Sequence, residues 1–355
     1  MSLSLRTRAA LFRRRVARAA GRALGRNATT YVQERTSEYR GYWEGAAARI
    51  GADFTALSDS IWEVRRGTGR VRLANYVTSA DDPVTLRIAG DKALCLRRVV
   101  DLGIPVPLHG VFSLGSLSRA REFVDRHGGA FAVKPVSGSA SALGVSTNLT
   151  EWRGVREAAL LAALFNPEFL VERMVPAESC RLLFLGGELI HAVRRTGVRV
   201  TGDGTSTLSA LAAAAGSPAD ETMRLTLEHQ GLAPVSVPAA GTEVVVRCLP
   251  AGLRAHPELR TVYDQTITDR IGPELREQAG RIVRSIGSEF AGVDVLTNDP
   301  SVSLEQARGV FLELNTTPGI HHHYHTPHER ETHPVAVRVL EYLLERGAPV
   351  AEGVV

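Results

Sequence analysis

The stretch GVFLELNTTPG, Gly309–Gly319, opens as an apolar strand and carries Glu313 and Asn315 two residues apart. In an extended chain those two share one face, while Val310, Leu312 and Leu314 point to the other, toward a core. A carboxylate and an amide side by side at a strand end suit a hard cation such as Mg2+, which takes oxygen ligands and shares them with phosphates. A second stretch, FAGVDVLT from Phe290 to Thr297, sets Asp294 between valines. A carboxylate inside an apolar strand is costly to bury unless it is paired or metal-bound. Either acid alone is read equally well as an edge-strand residue facing water. Two such strands in one chain favour a metal site.

Working outward, EFLVER places Glu172 at the end of a third apolar strand. A carboxylate there can accept from an amino group or ribose hydroxyls, or simply mark an exposed strand terminus. The segment AFAVKPVSGSASALGVSTN, Ala130–Asn148, follows the strand AFAVKP with a run of small residues. Ser137, Gly138, Ser139 and Gly144 let backbone N–H groups approach phosphate oxygens closely. The run is not a Walker A loop, since neither lysine follows a glycine. Standing alone it is read as a flexible turn. Yet of 42 basic side chains only Lys92 and Lys134 are lysine, and one of them lies here. An ammonium is a compact point charge that an arginine fork does not replace in every phosphate niche.

Composition sets the bounds. The 355 residues are 44% hydrophobic and 23% charged, ordinary values for a globular chain long enough for two or three lobes. No apolar run reaches the ~18–20 residues that span a membrane. Cys95, Cys180 and Cys248 are odd in number and scattered, which argues for a reducing, cytoplasmic setting and against a CxxC metal site. The net charge of +4 is concentrated at residues 6–26, which hold arginines and no acid. That segment reads as a solvated extension, or as a basic amphipathic helix for a surface. The tract HHHYHTPH, residues 321–328, offers a rival metal site; the alternative is that His322 or His323 lines a substrate pocket and the rest form a polar loop.

Composition and patterning predict a basic extension at 1–30 and an N-terminal lobe at 31–90 with a hairpin at Gly67-Thr68-Gly69. Helices are expected at 91–102, after Ser116 or Ser118, at 151–165, at 273–286 and after Pro334; CRLLFLGGELIHAVRRT reads as a hairpin around Gly186-Gly187. Strands and helices mix without strict βαβ alternation, so the fold class is α+β.

In order, a lysine opening a helix before GIPVP, the VKP–Gly/Ser loop–GV unit, VER followed by arginine, and GVDV…ELNTTPG resemble the ATP-grasp superfamily over residues 85–345. The pattern is most similar to the ATP-grasp part of cyanophycin synthetases and similar amino-acid ligases. RRTGVRVTGDGTSTLSAL and HQGLAPVSVPAAGTEVVVR resemble that group's next stretches. The resemblance implies an ATP-grasp fold, a small N-terminal lobe plus two α+β lobes sandwiching ATP, a central lobe at 91–172 and a C-terminal lobe at 173–347, with a tail at 348–355. It implies that Lys92 and Lys134 contact the phosphates. The 137–144 loop, with Ser137, Gly138, Ser139, Gly144 and the following Val145, would close over them. Glu172 and Arg173 would lie in the adenine linker, and Glu178 or Ser179 would meet the ribose. Asp294, Glu313 and Asn315 match the metal-binding triplet, for Mg2+ or Mn2+. Arg181, Arg195 and Arg247 match basic positions suited to a substrate carboxylate or the transferring phosphoryl. The chain departs from the synthetases at CLPAGLRAHPELRTVYDQT, residues 248–266, where an expected glycine pair is missing.

The activity implied is an ATP-dependent, ADP-forming carboxylate–amine ligase acting through an acylphosphate on amino acids or short peptides, as in specialised metabolite biosynthesis. With no Mur-ligase-like second module in the sequence, one amide bond is expected rather than a polymer. The alternatives are an ATP-grasp-type phosphotransferase, or a non-catalytic ATP-binding or nucleic-acid-binding protein using the basic N-terminus. The acidic triplet argues against a dead site, nucleic acid is disfavoured, and monomer and homodimer stay open.

Overall fold

The computed structural model describes residues 29–138, 144–195, 198–217, 221–247, 264–324 and 335–346, with isolated positions besides. The 139–143 part of the loop, the 248–263 segment that departs from the synthetases, and nearly all of the basic 6–26 stretch lie outside them.

Helix α1 (Thr29–Arg49) precedes an antiparallel sheet of β1 (Asp53–Ala56), β2 (Ile61–Arg66) and β3 (Gly69–Ala74). Gly67 supplies the positive φ, +57°, at the expected turn. Next come α2 (Pro83–Gly90) and α3 (Lys92–Asp101), each opened by an aspartate. Asp82 accepts from the Val84 and Thr85 amides and Asp91 from the Leu94 amide, filling donors that the first turn leaves orphaned. Then follow β4 (His109–Ser113), α4 (Leu117–His127), β5 (Phe131–Pro135), β6 (Ser146–Leu149), α5 (Trp152–Ala162) and β7 (Glu168–Arg173). Ser116 does not cap α4 with its side chain; its Oγ turns back to accept from the Ser113 amide at 2.9 Å. The chain continues as β8 (Ser179–Leu185), β9 (Glu188–Arg195), β10 (Val198–Thr201), α6 (Leu208–Ala214), α7 (Glu221–His229), β11 (Glu243–Arg247), β12 (Asp264–Thr266), α8 (Pro273–Ile286), β13 (Phe290–Leu296), β14 (Val310–Thr316) and α9 (Val335–Arg346).

These elements form two compact units that are not sequential. Of the described residues, one holds those within 106–179 and 194–247 with 264–265; the other holds those within 29–105, 180–193, 266–324 and 335–346. The expected boundaries at 91–172 and 173–347 run straight along the chain, whereas α3 belongs with the later strands. Its buried side, Ala93, Cys95, Leu96 and Val99, needs cover, and α3 packs against α8 and β14.

In the first unit the antiparallel sheet runs β4-β7-β5-β6. Phe131 and Val133 of β5 join Phe169 and Val171 of β7 in a core closed by α4 and α5. The segment from β10 to β11 builds a separate core from Val198, Val200, Leu208, Met223, Leu227, Val244 and Val246. In the second unit the sheet runs β12-β9-β8-β13-β14. Leu183, Leu185, Ile190 and Phe290 pack with Trp43, Trp62 and the apolar side of α9.

The opening stretch folds as a strand, with one correction. Asp294 pairs with Glu313 but Val295 pairs with Phe311, so Leu312 is an extra residue in β14. The bulge reverses the alternation. Phe311, not Leu312, joins Leu314, Val293 and Val295 as a buried face, and Leu312 is only half-buried.

Candidate active site

On β5 and β7 of the first unit, Phe131, Val133, Phe169 and Val171 use the face that packs on helices. The pairing Ala132–Glu172 and Lys134–Leu170 sends the alternate residues to the opposite face. There Lys134 Nζ meets Glu172 Oε1 at 2.7 Å, with the residues 5% and 4% exposed. Glu172 is therefore not the exposed terminus that its sequence position allowed. Its other oxygen, Oε2, is buried with no hydrogen-bond partner among the described residues. An unsatisfied buried carboxylate oxygen costs free energy until a donor reaches it. It fits a ligand that brings N–H or O–H groups, as an adenine or a ribose does.

The loop after Lys134 begins with Ser137, whose Oγ accepts from Asn166 Nδ2 at 2.8 Å, and Gly138 at φ +73°. Ser139 lies outside the described residues. The loop rejoins at Gly144, φ +75°, where a Cβ would stand 2.6 Å from the Phe165 ring. Val145 is half-buried and Arg173 exposed. Glu178 makes ion pairs with Arg194 at 3.0 Å and Arg199 at 3.8 Å, partners that the sequence did not single out. Ser179, half-buried, starts β8. Arg195 ends β9 half-buried, and Arg247 ends β11 with its side chain outside the described set. Asp203 of the GDG loop is a turn-former: it accepts from the Thr205 and Ser206 amides and the Ser206 hydroxyl, bonds that hold its carboxyl well below the usual range.

In the second unit Lys92 is the first residue of α3, where helix amide groups add to its positive charge. Asp294 and Glu313 lie directly opposite across β13 and β14, and Asn315 stands opposite Gly292. Asn315 Nδ2 donates to Asp294 Oδ2 at 3.1 Å and reaches Glu313 Oε1 at 3.5 Å. The triplet expected from the sequence is thus assembled. Its donor set, two carboxylates and an amide, suits a hard divalent cation. Arg181 of β8, expected from the resemblance at a substrate carboxylate or the transferring phosphoryl, is instead buried against Asp294. Its Nε and Nη2 each sit 2.6 Å from one Asp294 oxygen, a bidentate pair with both residues buried. Gly292 lies under that pair: a Cβ there would stand 3.4 Å from the Arg181 Cδ and 3.2 Å from Pro318.

The histidine tract folds inward. His321, His322 and His323 are all buried in a 3-10 turn, Ile320–His323, and are not a polar loop. His321 Nδ1 bonds the Tyr39 hydroxyl at 2.7 Å, and His323 Nδ1 bonds His191 Nδ1 at 2.8 Å. Among the described residues no three His, Cys, Asp or Glu side chains are grouped to hold a metal. His325 and His328 lie outside the described residues. The sequence signal for His191 was a polar residue in the apolar run LIHAV.

No protein-family profile matches the chain. It is 28% identical over 273 residues to a cyanophycin synthetase from Trichormus variabilis, covering 72% of this chain and 29% of that one. It is 23% identical over 327 residues to the glutathione biosynthesis bifunctional protein GshAB of Listeria innocua, covering 85% of this chain and 40% of that one. The chain therefore spans roughly a third of the length of the curated relatives it matches. Among solved structures, a bifunctional glutathione synthetase from Pasteurella multocida superposes with a TM-score of 0.57 at 20% identity, over 85% of this chain and 43% of that one. That likeness establishes a shared fold. Joined to the sequence similarity, it gives the chain the ATP-grasp fold that the sequence led us to expect.

Proposed function

We propose that this chain is an ATP-dependent, ADP-forming ligase that joins a carboxylate to an amine. The observation that carries the reading is the register of Asp294 opposite Glu313, with Asn315 bridging both. Cyanophycin synthetase and the glutathione biosynthesis protein, to which the chain is similar, support amino acids or short peptides as substrates.

As substrate, ATP would supply the phosphoryl group that activates the carboxylate as an acylphosphate, with Mg2+ or Mn2+ supplying charge neutralisation. Glu172 would receive the nucleotide's donors on its open Oε2, with Lys134 holding its other oxygen in place. Lys92 would draw phosphate toward the start of α3. Gly138 and Gly144 let the backbone of the loop come close to phosphate oxygens. Asp294, Glu313 and Asn315 would hold the cation, and Arg181 fixes the rotamer of Asp294. Arg195 would offset negative charge as it develops on the substrate. No described helix is long and apolar enough to cross a membrane. Cys95 and Cys180 are in no disulfide, which fits a reducing, nucleotide-supplied compartment, the cytoplasm.

The test is ADP and phosphate release from Mg-ATP against amino acids and short peptides, singly and in pairs, with products read by mass. Turnover that needs two partners and yields their summed mass less water is the expected result, abolished in Glu313→Ala and strongly reduced in Lys134→Arg. A phosphorylated product from one partner would instead make the protein a phosphotransferase.

A further inference from the structure

We infer that His323, backed by His191, takes the proton from the attacking amine as the amide bond forms. The assignment rests on the ligase reading above and adds a residue to it.

The turn Ile320–His323 follows β14 directly, a few residues beyond Glu313 and Asn315, and His191 comes from β9. The His191 and His323 rings meet Nδ1 to Nδ1 at 2.8 Å, and the residues are 1% and 2% exposed. Two facing Nδ1 atoms can share only one proton. A neutral pair therefore holds one ring with Nδ1–H and a bare Nε2, and one ring with the reverse arrangement. His323 Nε2 is buried and has no hydrogen-bond partner among the described residues. A buried imidazole nitrogen left open in this way calls for a ligand that can donate to it.

The surroundings keep His323 uncharged. Burial is the main cause, and the neighbouring His191 and Arg181 add to it; together they hold His323 well below the ordinary histidine value. The groups near it are His191 from β9, Arg181 from β8, and His321 and His322 in its own turn; His321 is itself tied to Tyr39 of α1. Arg181 is already neutralised by Asp294. So weak a base cannot strip a free ammonium. It can take the proton of an amine nitrogen already bonding to an acyl carbon, because that nitrogen has become strongly acidic. In the step, the lone pair of a neutral amine forms the C–N bond, and one N–H proton moves to His323 Nε2. The Nδ1 proton of His323 passes to Nδ1 of His191. The acyl C–O bond then breaks with its electron pair on the departing phosphate, which takes up the proton that the histidine pair releases. His323 is thus the catalytic residue, and His191 positions its tautomer and relays the proton.

The experiment compares two nucleophiles on the full-length protein, using the carboxylate returned by the ADP-release screen. One is the amine partner; the other is hydroxylamine, a strong nucleophile that needs little help from a base. For His323→Gln the amide rate is expected to fall by about 10^2-fold or more, in line with general-base catalysis, while hydroxamate formation falls less than tenfold. His191→Gln should lower the amide rate by about tenfold, with the same selectivity for amine over hydroxylamine. Equal losses with both nucleophiles, or no loss with either, overturn the assignment and leave the ligase intact. If the wild-type protein gives neither ADP nor hydroxamate with any carboxylate, the ligase reading falls and takes this assignment with it. Ring nitrogen NMR on histidine-labelled protein provides a check independent of turnover and of folding in the variants. One coupled neutral pair is expected at neutral pH, and a charged His323 ring there would overturn the assignment.

Discussion

Two buried ion pairs among the described residues are built for different work. In the first unit a lysine meets one oxygen of Glu172 and leaves the other without a partner among the described residues. In the second, an arginine fork fills both oxygens of Asp294, and Asn315 adds a third bond. A point charge on a flexible stem leaves coordination open, whereas a planar bidentate fork closes it. The difference teaches where a ligand can enter. Glu172 can take a new donor without losing Lys134, while a cation at Asp294 has to share that carboxylate with Arg181.

The comparison is broken most severely by Arg181→Ala, which leaves Asp294 buried and without its cation. We expect a loss of about 3–5 kcal/mol in urea unfolding, and no ligase turnover. The double variant Arg181→Met/Asp294→Leu should recover much of the stability and none of the activity, since an apolar pair carries no desolvation cost. Next is Lys134→Met, expected to cost about 1.5–3 kcal/mol by the same assay, the range for a hydrogen bond to a charged group. Lys134→Arg should weaken Mg-ATP binding by at least about tenfold in calorimetry, roughly 1.4 kcal/mol, because the fork does not fit a site sized for ammonium. Gly144→Ala probes the loop beside that pair. A left-handed backbone and contact with Phe165 should together cost about 1–3 kcal/mol and slow turnover.

The smallest effect sharpens the contrast with a third pair, which faces solvent. Glu63 of β2 is buried, but its partners Arg65 and Arg72 are mostly exposed. Burial disfavours its charge, yet hydrogen bonds from Arg72 and Arg65 outweigh that and hold its carboxyl below the ordinary 4.5. A depressed carboxylate stabilises the fold above its unfolded value, and that contribution is lost as pH falls through the folded one. Glu63→Gln should therefore flatten the decline in stability between about pH 5 and pH 3, measured by thermal unfolding.

Much of the candidate site's local geometry was legible in the sequence. Glu313 and Asn315 share a face because strand alternation is a two-residue rule, and Asp294 stood out because a carboxylate between valines needs a partner. The Gly186-Gly187 hairpin and the Pro273 helix start were readable for the same reason: each depends on a single residue's backbone preference. Less was legible where one residue changes the count. The bulge at Leu312 moved Phe311 into the core, and no local signal in β14 announces it, because a bulge depends on the partner strand's register.

From the sequence alone came the family resemblance, the α+β class, and which side chains are candidates for the chemistry, since these depend on residue types and short spacings. Only the tertiary structure decided their partners. Lys134 reaches Glu172 because β5 and β7 pair, and Arg181 reaches Asp294 across 113 positions of sequence because β8 lies beside β13. His191 meets His323 across 132 positions, and the histidine tract turns inward rather than out to solvent. Pairings of that kind are set by sheet order and burial, which no spacing along the chain encodes.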